Sequence, residues 1–178
     1  MYNQRVSNYA FIDSQNLNVG IRSLGWHLDW RKFRQFLIDQ HNCEKAYIFI
    51  GFTPGNEELY TYLQKAGFEV IFRHTLEHDG TVKGNTDAEM VLHTMIEYPN
   101  YEKAVIVSGD GDFFSLVEYL HHNDKLARIL VPNRKYSAHL RNYDSFVTRL
   151  DEMKRELQYK PHRPKPKQDQ DGAKPHPQ

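Results

Sequence analysis

Five short apolar runs, separated by stretches with helical periodicity, are the feature that most constrains the fold of this chain. The runs occupy residues 9–12, 46–50, 68–72, 104–107 and 126–131. The helix-like stretches occupy residues 30–40, 57–66, 87–98 and 113–121. Parallel strands need crossover connections, and nearly unbroken apolar strands indicate burial on both faces. The pattern therefore predicts a three-layer α/β domain with a parallel sheet.

Residues 1–159 hold this predicted domain, and residues 160–178 differ from it in composition. A chain of 178 residues has room for one domain with a core. We expect residues 143–159 to add a terminal strand or turn and a closing helix. From Lys160 onward there are five prolines and five Lys or Arg residues against two Asp. Because such a segment buries little apolar surface, we predict a disordered Pro/Lys-rich C-terminal tail.

Composition also bears on the class of protein. Lys plus Arg equals Asp plus Glu, at 23 each, so net charge favours neither nucleic acid nor membrane. Cys43 is the only cysteine, which excludes an internal disulfide and fits a reducing cytosol. No apolar run approaches the roughly 20 residues of a membrane span, and the first residues lack the apolar core of a signal peptide. We therefore expect a cytoplasmic protein without membrane contact, and we leave a homodimer open.

Acidic residues stand where the first and fourth apolar runs end. Asp13 directly follows the first run, and Asp110 and Asp112 closely follow the fourth. The carboxyl ends of parallel strands meet at one edge of the sheet, where open α/β sheets bind their ligands. Asp87 stands at the start of a helical stretch, and the polar loop before this stretch would place Asp87 at the same edge. Clustered carboxylates repel one another unless a hard cation neutralises them, so these four acids predict an Mg²⁺ or Mn²⁺ site.

The turn at residues 108–114, which reads S-G-D-G-D-F-F, also has a simpler interpretation. Either of its acids could be only a helix N-cap, which such turns favour. Asp13 has the same alternative, and Asn16, three residues later, could orient water or phosphate. An EF-hand and a dinucleotide fingerprint are excluded because the required acids and glycines are missing. Zinc has little support without H-x-x-x-H or a second cysteine, and no G-x-S-x-G nucleophile occurs.

Four short motifs follow one another along the chain. They are D-x-x-N-L at residues 13–17, K-G-x-x-D at 83–87, S-G-D-G-D-F at 108–113 and L-x-x-x-D-x-F at 140–146. Together they resemble the NYN domain, a branch of the PIN-like nuclease superfamily, in its bacterial LabA-like form. The resemblance covers about residues 9–150. It implies a PIN-like fold with a central parallel five-stranded sheet in the order 3-2-1-4-5, with Asp13 and Asp110 on neighbouring central strands.

Relatives of this kind are regarded as divalent-metal-dependent ribonucleases or RNA-processing factors, so the resemblance implies a metal-dependent endoribonuclease. Asp13, Asp87 and Asp110 would hold Mg²⁺ or Mn²⁺, with Asp112 either as a further ligand or as an acid that supports the ligands without touching the ion. These four acids and Asn16 form the predicted catalytic set. A bound metal lowers the pKa of a water and polarises the phosphate. Two alternatives stay open: an RNA-binding or adaptor protein with weak or lost catalysis, and a metal-dependent phosphatase or nucleotidase.

The predicted RNA contacts lie in turns and loops at the same edge. The Ser108 hydroxyl would position water or phosphate, and the Tyr136 ring could stack on an unpaired base. The basic side chains that would contact neighbouring phosphates are Lys83, Arg134, Lys135 and Arg141. The basic tail would add attraction to RNA that does not depend on sequence.

Two positions depart from the family pattern. Ser14 stands where relatives commonly have the glycine of D-G-x-N, and His93 stands where many carry a further acid. We expect His93 to be solvated, because it shares a helix face with Glu89 and Glu97. That face lies opposite a predicted apolar stripe of Ala88, Val91, Leu92 and Met95. We therefore predict that His93 is not a metal ligand and that one ion is held rather than two.

Overall fold

The computed structural model describes residues 7–73, 76–78, 81–83 and 86–161, with backbone alone for 73, 76–78, 81–83 and 86. The predicted tail lies outside the described residues from position 162 onward. No helix in the described ranges is long and apolar enough to cross a membrane. The elements are β1 (Asn8–Asp13), α1 (Ser14–Arg22), α2 (Trp30–His41), β2 (Cys43–Gly51), α3 (Glu57–Lys65), β3 (Glu69–Arg73), β4 (Leu76–His78), β5 (Thr81–Lys83), α4 (Thr86–Ile96), β6 (Ala104–Val107), α5 (Phe114–His122), β7 (Leu126–Val131), β8 (Val147–Arg149) and α6 (Lys154–Leu157).

A parallel sheet in the order β3-β2-β1-β6-β7-β8 forms the centre of the fold. Its first five strands are the five predicted apolar runs in the expected order 3-2-1-4-5. The sheet has a sixth strand, so the predicted number of five is wrong. β8 is only three half-buried residues long, and it pairs in parallel with β7. β8 lies within residues 143–159, where a terminal strand or turn was expected, and α6 is the closing helix expected there.

Helices cover both faces of the sheet, which confirms the three layers. Successive side chains of a strand point to opposite faces. On β1, Ala10 and Ile12 pack into one core with the helices that follow β1 and β2. Tyr9 and Phe11 pack into the other core, under α4 and α5. Phe11 is fully buried and its ring stacks on that of Tyr47, with centroids 5.5 Å apart.

Three elements were not expected from the sequence. α1 begins directly after β1, because the Asp13 carboxylate accepts a hydrogen bond from the Asn16 amide and caps the helix. Asparagine and glycine in this segment have low helix propensity and concealed it, although Leu17 and Ile21 are fully buried. The polar segment between β3 and α4, expected to be a loop, contains the antiparallel pair β4 and β5.

The buried face of α4 differs from the predicted stripe. Met90 and Thr94 are fully buried, whereas Leu92 is 54% exposed. Thr94 can enter the core because its hydroxyl donates to the Met90 carbonyl at 2.7 Å. This rotation makes His93 half-buried, with its ring 5.5 Å from that of Phe49. The prediction of a solvated His93 is therefore wrong, because the apolar pattern of α4 did not reveal which face meets the sheet.

Candidate functional site

A cleft lies at the carboxyl edge of the sheet, where β1 and β6 end side by side. Ile12 pairs with Val107, so the residues that follow these strands emerge together. The cleft measures about 490 Å³ and is lined by the carboxylates of Asp13, Asp87 and Asp110. The remaining lining residues come from α1, from the turn after β6 and from the loop after β7. They are Gln15, Asn16, Val19, Gly20, Ser23, Gly109, Pro132, Asn133 and Lys135.

Asp13 occupies the floor of this cleft and is 5% exposed. One carboxylate oxygen accepts from the Asn16 amide at 3.1 Å, and the other accepts from the Ser108 hydroxyl at 3.2 Å. The interpretation of Asp13 as a helix cap is therefore confirmed. A carboxylate oxygen has two acceptor sites, so capping leaves acceptor capacity on both oxygens. The same side chain can begin α1 and face the cleft.

The pKa of the Asp13 carboxyl is raised above its ordinary value. Burial is the main cause because it penalises the charged form, and the nearby Asp110 carboxylate raises the pKa further. Hydrogen bonds from the Asn16 amide and the Ser108 hydroxyl act in the opposite direction. A positive charge in the cleft would favour the ionised form that burial disfavours.

Asp13→Asn should raise thermal stability at neutral pH in EDTA. With its raised pKa, the folded protein holds this proton more tightly than the unfolded chain does. Stability therefore falls as pH rises through the window between the unfolded and folded pKa values. Asparagine removes that loss, so the gain in Tm should shrink as the pH is lowered. The exposed Asp112→Asn is the control, and a lower Tm for Asp13→Asn at neutral pH would contradict the expectation.

Asp110, in the turn after β6, also caps a short helical segment. The Asp110 carboxylate accepts from the Asp112 amide at 3.0 Å and caps the short 3₁₀ segment Gly111–Phe113. The Asp110 amide in turn donates to the Ser108 hydroxyl oxygen at 3.1 Å. Ser108 is buried, and its hydroxyl group connects the Asp13 carboxylate to the Asp110 amide. As with Asp13, the cap interpretation is correct, and the capping carboxylate still lines the cleft.

Asp112 lies outside the cleft that the other three acids line. Its side chain is exposed and does not line the carboxylate cleft. It lines a neighbouring depression along α4 with Asp87 and with apolar residues that include Val91 and Met95. The structure therefore brings Asp13, Asp87 and Asp110 into one cleft and directs Asp112 to its flank.

Sequence reasoning missed the contacts that join α1 to the two loops above it. Asn16 accepts from the Gly109 amide at 2.9 Å through its side-chain oxygen, which fixes α1 to the turn after β6. Asn133 is 7% exposed and donates to the Gly20 carbonyl at 2.8 Å, which fixes α1 to the loop after β7. A Cβ on Gly20 would overlap the ring of Pro132. Asparagine and glycine beside strand ends were a weak signal for these close approaches.

The predicted RNA contacts fall into different environments. Lys135 lines the cleft, and Arg134 and Arg141 are exposed nearby in sequence. The Tyr136 hydroxyl donates to Asp144 at 2.7 Å, and this hydrogen bond is the main cause of its raised pKa. This contact gives a role to Asp144, the acid of the L-x-x-x-D-x-F motif, because it holds the loop after β7 that carries Tyr136. Lys83 lies on β5, and its side chain is outside the described part of the chain.

The donor chemistry of the cleft fits a hard divalent cation. Three carboxylates and the Asn16 amide group supply the oxygen donors that Mg²⁺ prefers. Within the described residues, no three Asp, Glu, His or Cys side chains are close enough to hold one ion together. Mg²⁺ does not require such a group, because it keeps several waters and binds through one or two carboxylates plus substrate phosphates. The residues therefore fit a hydrated ion rather than a closed protein cage.

Known proteins share both the sequence pattern and the fold. The family model described as the NYN domain matches residues 9–151. The chain is 24% identical over 167 residues to the low amplitude and bright protein LabA of Synechococcus elongatus, covering 88% of this chain and 89% of that protein. It also resembles the crystal structure of a protein of unknown function from Vibrio parahaemolyticus RIMD 2210633, with a TM-score of 0.72 and 23% identity. The superposition covers 89% of this chain and 100% of the other, which shows a common fold.

Proposed function

The chain belongs to the NYN domain family, a branch of the PIN-like nuclease superfamily, and we propose that it is a metal-dependent endoribonuclease. One observation carries the proposal: three carboxylates from β1, α4 and the turn after β6 line a single open cleft. An open cleft suits a polymer that continues beyond the reacting phosphate. The phosphatase alternative is less favoured, because the described residues include no segment that covers the cleft and would select a small phosphate ester.

The cleft that Asp13, Asp87 and Asp110 line would bind a hydrated divalent ion through one or two of these carboxylates, and the bound ion would supply an activated water and polarise the scissile phosphate. The chain's own residues keep these acids in place. Ser108 hydrogen-bonds Asp13 and the Asp110 amide, so we assign it to positioning the acids rather than to RNA contact. Asn16 holds the turn that carries Asp110 against α1. Asp112 is outside this set, because it does not line the cleft.

Lys135 is the cation best suited to hold the RNA backbone at the cleft. It is exposed, lines the cleft beside the acids and follows Asn133, whose side chain accepts from the Lys135 amide at 2.8 Å. A lysine near the acids would attract the negative phosphate that their charge repels, and it would position the phosphate without reading sequence. Arg134 and Arg141 would extend this attraction to neighbouring phosphates.

The decisive assay incubates the full chain with single-stranded RNA, single-stranded DNA and a small phosphate ester, each with Mn²⁺ or with EDTA. Internal cleavage of RNA that requires Mn²⁺ is the expected result. Hydrolysis of the ester without RNA cleavage would contradict the proposal in favour of the phosphatase. RNA binding without cleavage would favour the second candidate, an RNA-binding or adaptor protein. His93 at the position where many relatives carry an acid is the observation that favours this second candidate.

Truncation after Tyr159 should weaken RNA binding and leave the chemical step unchanged. The removed segment carries five Lys or Arg residues against two Asp, and cations release counterions from phosphate. Each lost contact should reduce the slope of log affinity against log salt by about 0.7 for a single strand. The measurement is RNA affinity across a salt series, with single-turnover cleavage as the control. An identical slope for both chains would mean that the tail does not contact RNA.

A further inference from the structure

Phe52 is an exposed aromatic residue on the same edge of the sheet as the carboxylate cleft. It directly follows β2, and its side chain is 49% exposed. Single exposed apolar side chains are common on protein surfaces, so exposure alone carries no inference. What distinguishes Phe52 is the degree to which its neighbours hold it in place.

Two other rings support Phe52. Its ring lies 5.6 Å from that of Phe72 on β3, at an interplanar angle of 85°. It lies 5.8 Å from the ring of Tyr60 on α3, and Tyr60 and Phe72 are themselves in edge contact at 4.8 Å. Such edge-to-face groups are favourable beyond the area they bury. Because the other two rings hold it from the protein side, Phe52 presents its remaining surface to solvent in a defined orientation.

The backbone on either side of Phe52 is held by one hydroxyl group. The Thr53 amide donates to the Tyr60 hydroxyl oxygen at 2.8 Å. That hydroxyl lies 3.3 Å from the carbonyl oxygens of both Gly51 and Thr53, to which it can donate. Tyr60 is only 5% exposed, so it is a fixed part of the core. The ring and the backbone of Phe52 are therefore both organised before any ligand arrives.

Sheet register relates Phe52 to the cleft. Asp13 lies beside Phe49 in the pairing of β1 with β2. Phe52 is three residues farther along, which corresponds to roughly 10 Å at about 3.3 Å per residue. Lys135, by contrast, belongs to the loop after β7, on the other side of β1 in the strand order. A single-stranded RNA that crosses this edge of the sheet would contact Lys135, the acids of the cleft and Phe52 in turn.

We propose that Phe52 is a stacking platform for an unpaired nucleobase of single-stranded RNA. The inference rests on the proposed ribonuclease function for the identity of the ligand. Bases stack on aromatic side chains without regard to sequence, because every base has a π-face. Tyr136, the predicted stacking residue, belongs to the loop after β7 on the other side of the acids, and its hydroxyl donates to Asp144, so it stays a separate prediction. A preorganised ring loses little freedom on binding, which favours affinity.

The test measures RNA affinity of the full chain in EDTA, so that binding is separated from cleavage. Phe52→Ala should weaken binding to a single-stranded oligonucleotide by about tenfold, the lower part of the range for one stacked base. The salt slope should not change, because no charge is removed. Affinity for duplex RNA should also be unchanged, because paired bases are already stacked. Phe52→Trp should retain the affinity, and the new indole fluorescence should be quenched by single-stranded RNA.

Tyr119→Ala is the matched control. Tyr119 is also aromatic, 46% exposed and in contact with a second ring, that of Tyr98, but it lies late in α5, away from the carboxyl edge. Its removal should leave RNA affinity unchanged. Equal affinities for the wild type and Phe52→Ala, or absence of RNA binding by the wild type, would overturn the platform. A change of oligomeric state in Phe52→Ala would also overturn it and would indicate a protein interface.

Cleavage with Mn²⁺ is measured separately at saturating RNA. A wild type that binds RNA through Phe52 and does not cleave it would remove the proposed nuclease function and leave the platform intact. If the wild type cleaves RNA and Phe52→Ala binds RNA as tightly as the wild type does, the stacking platform is overturned and the proposed nuclease function stands.

Discussion

Asp110→Asn should abolish Mn²⁺-dependent RNA cleavage and leave the fold intact. The substitution keeps the shape of the side chain and removes the charge that would hold the cation. The asparagine oxygen can still accept the Asp112 amide, so the cap of the 3₁₀ segment is retained. Metal ions supply several kcal/mol of transition-state stabilisation, so the rate should fall by about a thousandfold. Cleavage rate and circular dichroism are the two measurements.

Asp112→Asn is the matched control for this experiment. Asp112 lies in the same turn and has the same chemistry, but it lines the flanking depression rather than the cleft. We expect this variant to retain most of the activity. In EDTA, Asp110→Asn should also be at least as stable as the wild type, because the Asp13 carboxylate loses a like charge beside it. Near-normal turnover by Asp110→Asn would mean that Asp110 serves only as a helix cap.

Gly20→Ala should destabilise the protein and impair cleavage, although alanine is ordinarily the better helix former. Inside a helix, this exchange normally gains up to about 1 kcal/mol. Here the new Cβ would lie 2.6 Å from the Pro132 Cβ, within a rigid ring that cannot rotate away. Overpacking of this kind costs about 1–3 kcal/mol, and we expect a net loss of about 1 kcal/mol. Tm from thermal unfolding measures this loss.

Gly20→Ala should also slow cleavage, because α1 carries Asn16 and is capped by Asp13. Moving α1 away from the loop after β7 would stretch the hydrogen bond from Asn133 to the Gly20 carbonyl. A displacement of about 1 Å can cost about a hundredfold in rate, so a loss of tenfold or more is expected. Gly51→Ala is the control, because a Cβ there meets no atom within 4 Å. A Gly20→Ala protein with higher Tm and full activity would refute the close-packing argument.

The strand-end acids show how far local pattern can reach. Asp13 and Asp110 were expected in one pocket, because each follows an apolar run and parallel strands end at one edge. The family match supports the four motifs on which the NYN resemblance was based. The same reasoning did not show that Asp112, two residues from Asp110, lines the depression along α4 instead of the cleft. Spacing along the chain does not determine the direction of a side chain in an irregular turn.

The contacts that assemble the site could not be predicted from the sequence either. Asn133 meets Gly20 across 113 positions, and Asn16 meets Gly109 across 93. Neither pair leaves a periodic signal, because each depends on how closely α1 packs against a loop. Phe52 was likewise concealed, because its neighbours Tyr60 and Phe72 belong to α3 and β3.

The strand order 3-2-1-4-5 was implied by the resemblance to the NYN domain, whereas the sequence by itself determined the types of the main elements, the parallel sheet and the edge at which acids collect. These properties follow from hydrophobic periodicity and strand-end position, which are local. Only the tertiary structure decided that Met90 and Thr94 are the buried face of α4, that the strand β8 pairs with β7 as a sixth strand of the main sheet, and that Asp112 lies outside the cleft. Such outcomes depend on which surfaces meet and how closely, and close packing is a property of residues distant in sequence.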